Sequence, residues 1–264
     1  MPRQSDREYL LGEQYSDASN LDARAALHQR FSTNPYGWHR WVFDRFDVAR
    51  NADLLELGSG PGTFWLHNWE RIPPDWRVTL SDFSAGMVRI SRRHLHDKHF
   101  SYAFALADAQ AIPFRSSSFD AVIANHMLYH VPNLEKALSE IRRVLRANGR
   151  LYAATNGVGN MKELWELVAQ ATPQGKDRSS ALTHNFNLEN AQVVLRNWFS
   201  EVILDRYDDS LVVTDAEALV AYVESAGYLD ADGIAGFAKR VTDRIGQDLE
   251  IHITKDTGLL TARN

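Results

Sequence analysis

Between residues 53 and 156 short apolar runs alternate regularly with amphipathic stretches, and that alternation leaves few folds open. "DLLEL" (53–57), "WRVTLSD" (76–82), "FSYAFALAD" (100–108), "FDAVIAN" (119–125) and "RLYAATN" (150–156) have the length and apolar content of strands. Helical periodicity fills 62–70, 84–95 and "NLEKALSEIRRVLRANG", the last expected to close with Gly149 as its C-terminal cap. Strands joined by crossover helices pair in parallel and carry helices on both faces. The spacing therefore predicts an α/β fold with a doubly wound, mostly parallel sheet.

The flanks read differently. Residues 1–50 are helical in pattern: "NLDARAALHQRF" with Asn20 as cap, then "YGWHRWVFDRF" with Pro35 near its first turn. Beyond 157 come helices in "MKELWELVAQAT", "NLENAQVVLRNWF" and "DAEALVAYVESAGYL", a strand within "SEVILDRYDDSLVVT", and a strand–turn–strand ending, "LEIHITKDTGLLTAR". With no long linker, repeat or low-complexity tract, we expect a helical N-terminal lid over 1–50 on an α/β domain over 51–264, with a helical insertion near 158–197.

Composition removes several kinds of chemistry. The 264 residues include no cysteine, which excludes disulfides, thiolate zinc sites and cysteine nucleophiles, including the thiol attack of cytosine C5 methylation. The formal net charge is −5 with Lys and Arg dispersed, so no basic face for a phosphate backbone is evident and no nucleic-acid partner is expected. No stretch approaches the roughly 20 apolar residues of a membrane span, and the first residues lack a signal peptide's apolar core. A cytoplasmic protein with no membrane partner is the expectation.

Gly58, Gly60 and Gly62 follow the first strand directly, where an open parallel sheet borders its ligand crevice. Glycines there let a ligand touch the main chain. The spacing is E-x-G-x-G-x-G, and Thr63 stands where a dinucleotide fingerprint needs its third glycine, so a nicotinamide-dependent oxidoreductase is disfavoured.

"LLELGSGPGTF" resembles the first motif of class I S-adenosylmethionine-dependent methyltransferases, specifically the small-molecule group related to quinone-biosynthesis enzymes. The resemblance runs from about residue 50 to 157 through three more segments in order: "VTLSDFSAGMV", "ADAQAIPF" and "SFDAVIANHMLYHVPN". It implies a seven-stranded Rossmann-like sheet and S-adenosyl-L-methionine as cofactor. Carried over residue by residue, it implies that Glu56, Gly58, Ser59, Gly60 and Gly62 surround the methionine end. Asp82 would accept the ribose hydroxyls, with Phe83 and Met87 flanking the adenine. Asp108 would accept from the adenine amino group and Ala109 would bond the ring, with Gln110 close by. Asn125 ends the fourth strand in the same crevice. Taken singly, Asp82 can equally cap the next helix, Met87 can be core, and Asp108 can be a turn residue.

Where the family reads His-His-Val-Pro-Asp, this chain has Leu-Tyr-His-Val-Pro-Asn, with Tyr129 replacing one histidine. Methyl transfer needs an in-line nucleophile held close to the methyl carbon, and a base helps for a hydroxyl or an acidic carbon. His126, Tyr129 and His130 are the candidates, His130 first, although this histidine can instead hold the loop. Tyr9, Tyr15, Tyr36, Trp38 and Trp41 make the N-terminal segment aromatic-rich. Tyr15 is the residue we expect to face the sulfonium, and Arg30 the methionine carboxylate. His94, His96 and His99 read as a solvated helix end and not a metal site, because residues two apart on a helix do not face one another. In the insertion, "HNFNLENA" (184–191) offers His184 or Phe186 as a residue to cover the acceptor pocket, and the sequence gives no way to read which. The function expected is methyl transfer to a small-molecule acceptor. The alternative is a non-catalytic module that binds the cofactor or S-adenosylhomocysteine.

Overall fold

The computed structural model describes residues 19–98, 100–171, 185–227 and 229–264. The five apolar runs become β1 (Asp53–Leu57), β2 (Arg77–Asp82), β3 (Tyr102–Leu106), β4 (Phe119–Asn125) and β5 (Leu145–Asn156), followed by β6 (Glu201–Tyr207), β7 (Ser210–Val213), β8 (Ile251–Thr254) and β9 (Thr257–Arg263). The main sheet has seven strands in the order β3-β2-β1-β4-β5-β9-β6. β1 to β5 pair in parallel, and β9 runs antiparallel to both β5 and β6. β7 and β8 form a separate antiparallel ribbon.

Parallel strands are covered on both faces, which is why their sequences are continuously apolar. Alternate residues of one strand feed opposite layers. Leu55 and Leu57 enter one core with Val122, Leu138 and Ile141, and Leu54 enters the other with Trp65, Leu80 and Tyr152. The helices are α1 (Ser19–Phe31), α2 (Trp38–Phe43), α3 (Thr63–Leu66), α4 (Ala85–Leu95), α5 (Leu134–Val144), α6 (Lys162–Ala171), α7 (Ala191–Arg196), α8 (Ala216–Ala226) and α9 (Ala231–Asp248). Asn133 caps α5 by accepting from Lys136 N, and Ala137, Leu138, Ile141 and Val144 bury its apolar face. A third core joins Leu27 of α1 to Leu164, Leu211, Val223, Phe237 and Ile253, so α1 packs with α6, α8, α9 and the ribbon. Among the described residues no helix is long and apolar enough to cross a membrane.

Several local expectations are corrected. α5 stops at Val144, and Gly149 lies inside β5 instead of capping the helix. Arg146 is pulled the other way, onto Asp53 at 2.7 Å and onto Asp120, and the register slips between Phe119 and Ala121 to admit the extra residues. Gly149 is needed there because a Cβ would stand 2.9 Å from the Arg146 carbonyl. Asn20 lies within α1 instead of capping it, and α2 is capped by Gly37, two residues past Pro35. The stretch 201–213 is two strands in different sheets, and α9 was not read from the sequence at all.

Candidate active site

The carboxyl ends of β1, β2 and β4 meet at one edge of the sheet and open a cleft of about 380 Å³, ordinary for a small-molecule site. Gly58, Gly60 and Gly62 all take left-handed backbone, with φ of 64°, 53° and 81°. At Gly58 a Cβ would come within 2.8 Å of Met127 Cβ, so only glycine lets the post-β4 loop close over the turn. Gly60 N donates to Asp82 Oδ2 at 2.9 Å and Ser84 N to Oδ1 at 2.8 Å. Glycine turn and acid thus fix each other, and the carboxylate, with about four lone-pair sites, keeps acceptor capacity for a further donor. Burial raises the Asp82 carboxyl, opposed by the amides of Ser84, Gly60 and Phe83.

Glu56 lies beneath the turn, 2% exposed, accepting from Trp65 Nε1 at 2.7 Å and Asn125 Nδ2 at 3.3 Å. Burial pushes its carboxyl up to about 7. At the far end Asp108 Oδ1 accepts from the backbone N and side-chain Nε2 of Gln110, at 2.9 and 3.2 Å. On the loop after β4, His126 takes φ 52° and a turn over Leu128–His130 follows. The Tyr129 and His130 rings lie 4.5 Å apart. Burial, then Lys255 and His130, hold His126 down to about 4, so its imidazole is neutral near pH 7.

The cleft lining gathers Glu56, Gly58, Ser59, Gly60, Asp82, Phe83, Met87, Asp108, Ala109, Gln110 and Asn125, together with His126, Tyr129 and His130. Gly62 is not among them. It caps α3 and packs on α4, where a Cβ would sit 3.1 Å from Leu95 Cδ1. Arg30 is also elsewhere, paired with Asp215 at 2.7 Å and more than half exposed. The α1 arginine that lines the cleft is Arg24, because six residues along a helix rotate a side chain onto another face. Tyr15, His99 and His184 lie outside the described residues. Phe186 is fully buried in the sheet core, its carbonyl accepting from Thr155 Oγ1, and does not cover the cleft. Trp38 and His39 line the cleft without having been assigned a role there. Aromatic richness flagged the first, and no pattern marks the second.

Three atoms of lining residues, Ser59 Oγ, Asn125 Oδ1 and His39 Nδ1, are buried without a hydrogen-bond partner, the first two at the glycine turn and the end of β4. Buried polar groups left open beside a glycine turn fit a ligand that brings its own donors and acceptors, as an amino-acid end does. With Asp82 and Asp108 farther along, the residues present fit S-adenosylmethionine.

The comparisons with known proteins agree with this geometry. The family model described as "Methyltransferase domain" matches residues 55–153, from within β1 to within β5. The ubiquinone/menaquinone biosynthesis C-methyltransferase of Hahella chejuensis is 34% identical over 116 residues, which are 43% of this chain and 47% of that protein. The chain thus spans about half the length of that relative. The malonyl-[acyl-carrier protein] O-methyltransferase of Geobacter sulfurreducens is 28% identical over 243 residues, 88% of this chain and 85% of that one. Phosphoethanolamine N-methyltransferase 2 of Haemonchus contortus, solved in complex with S-adenosyl-L-methionine, shares the fold with a TM-score of 0.62 at 17% identity, over 98% of this chain and 59% of that one. Residues 55–153 thus match a methyltransferase domain, and the sheet that carries them has the fold of a methyltransferase solved with S-adenosyl-L-methionine. The chain is related to the methyltransferases of quinone biosynthesis.

Proposed function

We propose that this protein transfers the methyl group of S-adenosylmethionine to a small-molecule acceptor by in-line displacement. The observation that carries this reading is the cleft in which the glycine turn clamps Asp82 while Ser59 Oγ and Asn125 Oδ1 stay open, next to the loop bearing His126, Tyr129 and His130. Bound there, the cofactor supplies an electrophilic methyl on a sulfonium. Asp82 would hold the ribose hydroxyls through charge-assisted bonds. Asp108 and Ala109 would take the adenine edge, and Ser59 and Asn125 the methionine end. Holding cofactor and acceptor in line supplies much of the rate by orientation alone. His130 would accept the acceptor's proton where the nucleophile carries one. The relatives' names include both carbon and oxygen methylation, so a quinol and a malonyl thioester are the first acceptors to try.

Calorimetric titration with S-adenosylmethionine and S-adenosylhomocysteine tests the reading. Saturable one-to-one binding to the wild type, lost in Asp82→Ala, is expected. Folded protein that binds neither would overturn it. Binding without transfer of a labelled methyl to any acceptor would turn the reading toward a non-catalytic binding module.

A further inference from the structure

One wall of the cleft is aromatic and owes nothing to the glycine turn or the two aspartates. Trp38 stacks on Trp41 with centroids 5.3 Å apart and planes 24° from parallel, and meets Tyr207 edge-on at 5.4 Å. Trp41 meets the same Tyr207 at 5.1 Å. Of these three rings only Trp38 lines the cleft, where it lies 5.2 Å from the ring of His126, the residue after Asn125. That is the end of the cleft with the unpartnered amide oxygen, away from Asp108.

The position of Trp38 is held from behind. The preceding turn is tied down by Thr33 N donating to the Ser210 carbonyl at 2.9 Å and Asn34 Nδ2 to the Asp208 carbonyl at 2.7 Å. Asp209, with no exposed side chain, gathers the rest. Its Oδ1 accepts from Ser32 Oγ at 2.7 Å, Ser210 N at 2.9 Å and Asn34 N at 3.1 Å, and its Oδ2 pairs with Lys255 Nζ at 2.5 Å. Gly37, at φ 85°, then turns the chain so that α2 starts with Trp38 over the cleft.

The charges around this wall suit a cation. His126 is held at about 4 and His39 at about 3, both chiefly by burial, so neither is positive near pH 7. Lys255 Nζ is paired with the buried Asp209, and the cleft lining sets the carboxylates of Asp82 and Asp108 against the one guanidinium of Arg24. An indole face is the strongest cation-binding surface among the aromatic side chains.

We infer that Trp38 is the residue that recognises the cofactor's positive charge, its ring meeting the sulfonium and its position set by the Asp209 anchor. This rests on the methyltransferase reading above. The two ligands that differ in that charge separate the possibilities. S-adenosylmethionine carries a sulfonium, and S-adenosylhomocysteine carries a neutral thioether of nearly the same shape. Both are titrated calorimetrically into the wild type, Trp38→Leu and Trp38→Phe, with circular dichroism as the check on folding. Trp38→Leu should weaken S-adenosylmethionine about 5- to 30-fold and S-adenosylhomocysteine less than about 2-fold. Trp38→Phe, keeping a weaker ring, should show the same selectivity at about 3-fold, and it decides the matter alone if the leucine variant does not fold. Equal losses for both ligands, or no loss, would overturn the assignment of Trp38 and leave the cofactor reading standing. A wild type that binds neither ligand would overturn the cofactor reading itself.

Discussion

Glu56 is a carboxylate whose chemistry departs far from that of its exposed counterpart. Its two oxygens each have one donor, from Trp65 and Asn125, yet burial still lifts its carboxyl from 4.5 to about 7. The folded chain therefore holds this proton more tightly than the unfolded chain does. Stability from this group is full below pH 4.5, falls as pH rises toward 7, and is level above, a change of about 3 kcal/mol at the conversion of 1.36 kcal/mol per unit. Glu56→Gln keeps an acceptor for Trp65 and has nothing to titrate. Urea unfolding at a series of pH values should show the variant gaining on the wild type from pH 4.5 to 7. A constant difference across that window would mean that Glu56 is ionised throughout.

At the scale of elements, β1 to β4 were legible in the sequence to within about two residues, β1, β2 and β4 because buried strands cannot hide polar interruptions and the edge strand β3 from its apolar run alone. The cleft was legible for the same reason. Asp82 and Asn125 end their strands and Asp108 follows β3 closely, so place in the sequence translated directly into place at the sheet edge. What failed to read was set by contacts distant in the chain. α5 stops where Arg146 finds Asp53 and Asp120, and Arg30 instead of Arg24 leaves the cleft because Asp215 draws it. Gly62 carries the same spacing signal as Gly58 and Gly60 but faces α4. α9 was masked by its own composition, since three glycines dilute the helical pattern around buried Phe237 and Val241. One of these is an opportunity. Gly236 is exposed, with nothing within 4 Å of a Cβ placed there, so Gly236→Ala should raise stability by about 0.5–1 kcal/mol in denaturant titration. A loss of stability would show that this stretch of α9 is not helical in solution.

At the scale of the whole molecule, Asp209 joins parts of the chain that the sequence keeps far apart. Its carboxylate holds the turn after α1, the start of β7 and, through Lys255, the turn between β8 and β9. Removing one partner of so buried a pair leaves the other uncompensated, and Asp209→Asn should cost about 3–5 kcal/mol in urea unfolding. A cost near zero would mean that water reaches Lys255. The sheet itself carries a consequence for how the protein is made. β6 touches the main sheet solely through β9, and β9 fills the gap between β5 and β6. A ribosome delivers β6 well before β9, so the nascent chain carries two open strand edges that have no neighbour until residues 257–263 emerge. The order of synthesis and the order of pairing run against each other: the strand made late belongs in the interior, and the strand made before it waits at the rim.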